Sequence, residues 1–254
     1  MTVAWITGGG TGIGRALAER LYGEGAQVII TGRRRELLEA AAQAIAARPS
    51  SGQLLAIAGD AADPAHVRDV AAQAAARWGM IDLLINNAGV NLHSEVSEAP
   101  VEEYQKSFET NCLTALRATQ AVLPAMLEAN RGAIVNISSI YGKWASSRSA
   151  AYSVTKHALT GYTDALRQSL RATRIQVLGV FPGFIKTDMT LPFVDPGSWK
   201  NHFGKSPDQL AAAVLAALRR GNAELYYPWY VPWVLRLARW APRSADALSD
   251  RAKR

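Results

Sequence analysis

The chain has 254 residues, 49% of them hydrophobic and 19% charged, which is ample material for one well-packed domain and excludes a disordered chain. A net charge of +7 suits a polyanionic ligand or an anionic surface, and a single cysteine, Cys112, excludes an intrachain disulfide. Arginines in small groups, no zinc-finger or helix-turn-helix pattern, scattered histidines (His66, His93, His157, His202) and no apolar run of roughly 18 residues argue against nucleic acid, metal and a membrane span.

Short apolar runs alternate with longer helical stretches. Residues 3–7 read as a strand, with no charged leader or cleavage signal before it, so a cytoplasmic location is expected. The strand runs into Thr7-Gly8-Gly9-Gly10-Thr11-Gly12-Ile13-Gly14, and a helix follows over 13–23. Glycines let the backbone turn tightly and approach a diphosphate, while the helix start offers free amides and a positive dipole end. Strand, glycine turn and helix in that order point to a dinucleotide cradled by Gly8, Gly10, Thr11, Gly12, Ile13 and Gly14.

A second strand over 27–31 leads into Gly32-Arg33-Arg34-Arg35 and a helix over 35–47. An acid at this strand end would hold the ribose 2′-hydroxyl of NAD, whereas arginine offers planar donors to the 2′-phosphate of NADP. Cations at a helix start oppose the macrodipole, so another interaction must favour them. The expected cofactor is therefore NADP(H), held by Arg33 first and Arg34 second.

After the third strand (54–59), the Asp60 carboxylate can accept from the adenine amino group, with Ala61 beside it. A helix over 64–78 and a fourth strand over 83–86 lead to Asn86-Asn87-Ala88-Gly89, where Asn87, Ala88 and Gly89 allow close approach of the adenosine ribose. Turn chemistry accounts for the same residue types at both places. A helix over 101–127 contains Asn111 and Cys112, the latter as a small core residue.

The fifth strand (133–137) ends in Ser138-Ser139, and a serine there can orient a substrate oxygen. Tyr152 and Lys156 open a helix over 152–171, one turn apart on one face. A phenol titrates near pH ~10, and a lysine cation nearby favours the phenolate, which brings the pair toward useful proton transfer. A packing tyrosine and a solvated lysine show the same spacing. A sixth strand (176–181), a proline- and glycine-rich stretch from Pro182 and Gly183, and a helix over 207–220 follow. The pattern predicts an α/β fold, a Rossmann-type doubly wound parallel sheet in a single domain. Its expected extent is 1–225, with a substrate lid at about 184–206 and an aromatic, basic extension over 226–254.

Taken together, the motifs resemble the classical short-chain dehydrogenase/reductase family over essentially residues 1–225. The resemblance rests on the Thr-Gly-x-x-x-Gly-x-Gly turn at 7–14, Asn-Asn-Ala-Gly at 86–89, Ser139, and Tyr-x-x-x-Lys at Tyr152 and Lys156, in matching order and spacing. It implies an NADP(H)-dependent oxidoreductase interconverting a carbonyl and a secondary alcohol. The carbonyl would sit between Ser139 and Tyr152, with Tyr152 as general acid/base. Lys156 would lower the tyrosine pKa and hold the nicotinamide ribose. Asn111 would hold a water between Lys156 and solvent. Pro182, Gly183, Ile185 and Thr187 would lie at the nicotinamide. A homodimer or homotetramer, with helices around 101–127 and 152–171 at its interfaces, is implied too. Some NADP-dependent members carry a basic residue in the glycine turn where this chain has Thr11, so the NADP reading leans on Arg33 and Arg34, with the Thr11 hydroxyl as a further donor.

Two other functions fit the fold. A non-catalytic NADP(H)-sensing protein would not need Ser139, Tyr152 and Lys156, and a sugar-nucleotide epimerase would need more chain after Phe181. Tyr141, Trp144, Phe184, Phe193 and Trp199 either line a pocket for a hydrophobic carbonyl compound or pack the lid itself; Lys143, Arg148 and Lys186 are the charges available to an acidic substrate. In the tail, Trp233, Val234, Leu237 and Trp240 share a helical face apart from Arg236 and Arg239. That segment either docks on protein or makes peripheral membrane contact, the latter giving a reductase of a long-chain lipid ketone at a membrane surface.

Overall fold

The computed structural model describes residues 2–193 and 204–243. Among these residues, seven parallel strands form one sheet in the order β3-β2-β1-β4-β5-β6-β7. They are β1 Val3–Thr7, β2 Gln27–Gly32, β3 Leu54–Ala58, β4 Leu83–Asn86, β5 Gly132–Ile137, β6 Ile175–Pro182 and β7 Glu224–Tyr227. The first six stand where the apolar runs place them. The seventh is short and mixed in polarity, so its pattern is silent. It pairs with β6 from Gly179↔Glu224 to Pro182↔Tyr227. The start of the extension, expected at 226, thus falls inside a sheet strand.

Helices cover both faces, as buried parallel strands require. Side chains alternate along each strand, so β1 sends Ala4 and Ile6 to one core and Val3 and Trp5 to the other. The first core packs against α1 Gly12–Gly23, α2 Arg35–Ala46 and α7 Pro207–Arg219. The second packs against α3 Pro64–Trp78, α5 Thr114–Ala129 and α6 Ala150–Ser169. Trp5 is fully buried, and its Nε1 donates to Thr31 Oγ1 at 3.1 Å. Burying side chains of this size stabilises by about 1.5–3 kcal/mol each.

The helix expected over 101–127 is broken. α4 Val101–Phe108 and α5 are joined by a π turn over Glu109–Leu113, which contains Asn111 and Cys112. Helical periodicity does not reveal such a turn, because the apolar face continues through it. Cys112 is buried and its thiol is pushed up by that burial, as fits a core residue. A further helix, α8 Val231–Trp240, follows β7. Among the described residues, no helix is long and apolar enough to cross a membrane, and no cluster of His, Cys, Asp and Glu is arranged to hold a metal.

The strand order reverses between β1 and β4: one crossover leads outward through β2, the other through β5. In such sheets the carboxyl ends of the two central strands splay apart and leave a crevice for a ligand.

Candidate active site

A cavity of about 560 Å³ opens at those carboxyl ends. The glycine turn forms its floor. Gly8 and Gly12 have φ of 67° and 53°, which bulkier residues avoid. Thr11 stands at the N-cap of α1 without a side-chain cap bond, and the first turn of α1 holds no acid. The positive helix end is thus left for an anion. Gly8, Gly10, Thr11, Gly12 and Ile13 line the cavity. Gly14 does not, contrary to expectation. A Cβ there would stand 2.3 Å from Gly8 O and 2.5 Å from Asn87 Nδ2, so this glycine lets helix and turn pack together.

The turn is tied to the end of β4. Thr7 Oγ1 accepts from the amides of Asn87 (3.0 Å) and Ala88 (3.1 Å). Asn87 Nδ2 donates to the carbonyls of Thr7 and Gly8, each at 3.1 Å. Asn87, Ala88 and Gly89 all line the cavity. Asn87 thus holds the turn with its side chain, a role that spacing does not show.

Arg33, Arg34, Asp60 and Ala61 border the same cavity. Arg34 Nη2 donates to Thr11 Oγ1 at 3.2 Å, and Arg33 Nη1 lies 3.8 Å from Asp60 Oδ2. Thr11 and the two arginines, separate in sequence, therefore meet at one rim.

Across the sheet, Ser139, Tyr152 and Lys156 border the cavity beside Ile137. Ser139 Oγ accepts from Tyr141 N at 3.1 Å and so caps a short 3-10 turn, Ile140–Gly142. The Ser139 side chain acts on the Tyr152 hydroxyl as a hydrogen-bonding neighbour that lowers its pKa. Tyr141 packs edge-on against the Tyr152 ring, with centroids 6.4 Å apart and planes at 85°. Lys156 Nζ donates to Ile137 O at 2.8 Å and lies 5.5 Å from the Tyr152 ring centroid. Burial pushes Tyr152 up to about 12, against the lowering effect of Ser139. Burial pulls Lys156 down to about 8. The expected lowering of the tyrosine by its lysine is not found: desolvation dominates, and Ser139 is the group that lowers it. In this state the Tyr152 phenol keeps its proton at neutral pH.

Asn111 Nδ2 donates to Val90 O (2.9 Å) and Thr155 Oγ1 (3.0 Å), and its Oδ1 accepts from Val90 N (2.7 Å). Both amide hydrogens are therefore spent on protein, and a water would meet Asn111 at a carbonyl oxygen. Its side chain pins the loop after β4 onto α6. Gly89 leaves room for this: a Cβ there would stand 3.1 Å from Asn111 Oδ1 and 3.6 Å from Lys156 Nζ.

Pro182, Gly183, Ile185 and Thr187 close the far wall. Thr187 Cγ2 stands 3.2 Å from where a Cβ on Gly12 would be, so this segment crosses the glycine turn. Its base is clamped, since Ile185 bridges to Lys205 and Lys186 N donates to Lys205 O at 2.9 Å. Phe193 lies in a short 3-10 turn; residues 194–203 of the expected lid, including Trp199, lie outside the described residues.

The aromatic lining is corrected in part. Tyr141, Trp144 and Phe184 do not line the cavity, whereas Leu92 and Met189 do. Two of the charges considered for an acidic substrate are spent, Lys143 on Glu224 (3.1 Å) and Arg148 on Glu95 (3.2 Å). Leu37 and Leu38 of α2, and Thr110 and Thr114 near the π turn, also border the cavity. Nothing in their local pattern marks them, because they arrive there by helix packing.

The family model described as short chain dehydrogenase matches residues 2–195. The chain belongs to the short-chain dehydrogenase family. Among curated relatives, this short-chain dehydrogenase is 33% identical over 234 residues to dehydrogenase/reductase SDR family member 7B of Bos taurus, covering 88% of this chain and 72% of that one. It is 34% identical over 216 residues to an oxidoreductase of Staphylococcus aureus, covering 85% and 90%. A variant of actinorhodin polyketide ketoreductase solved with NADPH superposes with a TM-score of 0.82 at 29% identity, covering 91% and 97%. A Burkholderia phymatum short-chain dehydrogenase/reductase in complex with NAD shares the fold at 21% identity, with a TM-score of 0.85 and coverage of 96% and 94%.

Proposed function

We propose that this short-chain dehydrogenase is an NADP(H)-dependent reductase of a hydrophobic carbonyl compound, with Tyr152 as proton donor. One observation carries the reading: a single cavity has Ser139, Tyr152 and Lys156 after β5 and Thr11, Arg33 and Arg34 toward β2. The strands β2 and β5 are three spacings apart, roughly 14 Å, which suits a dinucleotide lying across the strand ends. The residues fit that group, since the uncapped start of α1 awaits an anion and two glycines supply the left-handed turn. The actinorhodin ketoreductase with NADPH and a serine dehydrogenase solved with NADP+, 28% identical, support the phosphorylated cofactor.

When bound there, the cofactor supplies or accepts hydride. Thr11, Arg33 and Arg34 would hold its 2′-phosphate, and the amides opening α1 its diphosphate. Ser139, fixed by the Tyr141 amide, orients the substrate oxygen. Tyr152 then passes its hydroxyl proton to that oxygen. The Lys156 cation, anchored on Ile137 O, favours the phenolate that results. Leu92 and Met189 give the substrate side an apolar character. Following NADPH absorbance over a panel of ketones, aldehydes and secondary alcohols tests the reaction class; no turnover with any of them would favour a sensing role.

Two further results are expected. The Arg33→Ala/Arg34→Ala variant should lose about ten- to a hundredfold in NADPH affinity, the worth of one or two charge-assisted hydrogen bonds. NADH affinity should hardly change. Fluorescence titration reads both, and equal losses for the two nucleotides would sink the 2′-phosphate assignment. The second concerns pH. Lys156 loses its charge as pH rises through about 8, whereas Tyr152 keeps its proton to about 12. The kcat/KM for reduction should fall above about pH 8, and Lys156→Arg should move that limb upward. A profile flat to the tyrosine range would remove Lys156 from the proton-transfer step.

A further inference from the structure

α8 and the turn before it are unusual in what they show to solvent. Trp229 is 77% exposed, Trp233 61%, Trp240 85% and Leu237 39%. Val231 is buried, and Val234, Leu235 and Ala238 are half-buried on the inner side. On the helical wheel Trp233, Leu237 and Trp240 fall within roughly 60° of one another. Arg236 and Arg239 lie together on one flank of that stripe, both exposed. Val234, expected on the aromatic face, turns inward. Arg236 also lies over the Trp233 ring at 4.9 Å, which keeps a cation beside the indoles.

We propose that this outer face of α8 docks on an anionic lipid surface. The inner face is held by the domain, so the stripe is not a core in search of packing. Indole rings prefer the boundary between water and hydrocarbon, where the ring is apolar and its N–H stays hydrated. Residues 228–254 hold six of the 28 basic residues and two of the 21 acidic ones, a balance complementary to anionic headgroups. Ten helical residues with flanking arginines lie on such a surface rather than cross it. A second copy is a poorer occupant: two-fold packing of this narrow face on itself would bring arginines against arginines.

The position adds meaning. Val231 Cγ2 stands 3.0 Å, and the Tyr230 hydroxyl 3.5 Å, from where a Cβ on Gly183 would be. Gly183 lines the cavity, so the docking helix is braced on the cavity's own wall. The docking itself does not depend on the reaction proposed above.

The test uses the full chain with vesicles of phosphatidylcholine, with and without about 30% phosphatidylserine. At about 0.1 M salt the protein should sediment with the anionic vesicles, release at about 1 M, and show blue-shifted indole emission when bound. Trp233→Ala/Trp240→Ala and Arg236→Glu/Arg239→Glu should each lower the partition coefficient by about tenfold or more. Both variants should keep NADPH affinity and sedimentation coefficient, which shows that fold and assembly are intact. The proposal is overturned if the unaltered chain does not bind anionic vesicles, or if both variants bind them equally well. A changed sedimentation coefficient in the variants also overturns it, by marking the face as a contact between copies.

Discussion

Tyr152→Phe should keep cofactor affinity and lose about 10²- to 10⁴-fold in turnover, the usual worth of a positioned general acid. The substitution removes one oxygen and leaves the ring. That ring is held by Tyr141 at 6.4 Å and by Lys156 at 5.5 Å, contacts that do not involve the hydroxyl. Packing and stability should therefore change little. The glycine turn, the end of β4 and the arginines after β2 lie on other elements, so dinucleotide binding should persist. Without the hydroxyl, the proposed proton donor is gone, while Ser139 stays in place on the Tyr141 amide. Single-turnover oxidation of NADPH separates the chemical step from binding, which fluorescence titration measures independently. Turnover within a few-fold of the unaltered chain would place the acid elsewhere. Loss of both binding and turnover would mean that the tyrosine is structural.

A single methyl group at Gly14 should damage both stability and cofactor binding. Its carbon would meet Gly8 O at 2.3 Å and Asn87 Nδ2 at 2.5 Å. Neither neighbour can yield easily, since one is backbone and the other is bonded to the carbonyls of Thr7 and Gly8. Overpacking of this kind costs about 1–3 kcal/mol. For a chain of this size that lowers Tm by roughly 3–10 °C. Relief would come by moving the turn away from α1, which opens the diphosphate cradle and should weaken dinucleotide affinity about tenfold or more. Gly161→Ala is the matched control: the position is in α6, and a Cβ there meets nothing within 4 Å. It should raise stability by about 0.5–1 kcal/mol through helix propensity. Equal Tm values for the two variants, by calorimetry, would refute the close-contact account of Gly14.

Much of the site was legible before any coordinates. Strand ends and helix starts point to Thr11, Arg33, Arg34, Ser139, Tyr152 and Lys156, and the cavity gathers all six. Strand ends are readable because apolar β-branched runs stop where the sheet stops, and chemistry in a doubly wound sheet sits at those stops. The illegible part has a common cause. The π turn around Asn111, the bonds of Asn87 to the glycine turn, and the arrival of Leu37 and Thr110 at the cavity are contacts between elements. They leave no periodic trace in the elements themselves.

Local backbone preference and period account for the alternation of strands and helices, the glycine turn, the arginines after the second strand and the four-residue spacing of Tyr152 and Lys156, all of them readable along the chain. The rest follows from packing between elements distant in the chain, that is, from the assembled fold. It brought Thr11 to Arg34, turned Gly14 from a cofactor contact into a packing contact, and added β7 to the sheet through partners far away in the chain. It also set the tyrosine's protonation. Hydrogen bonding by Ser139 and the loss of water act on the phenol in opposite directions, and their balance depends on burial, which comes from the whole fold.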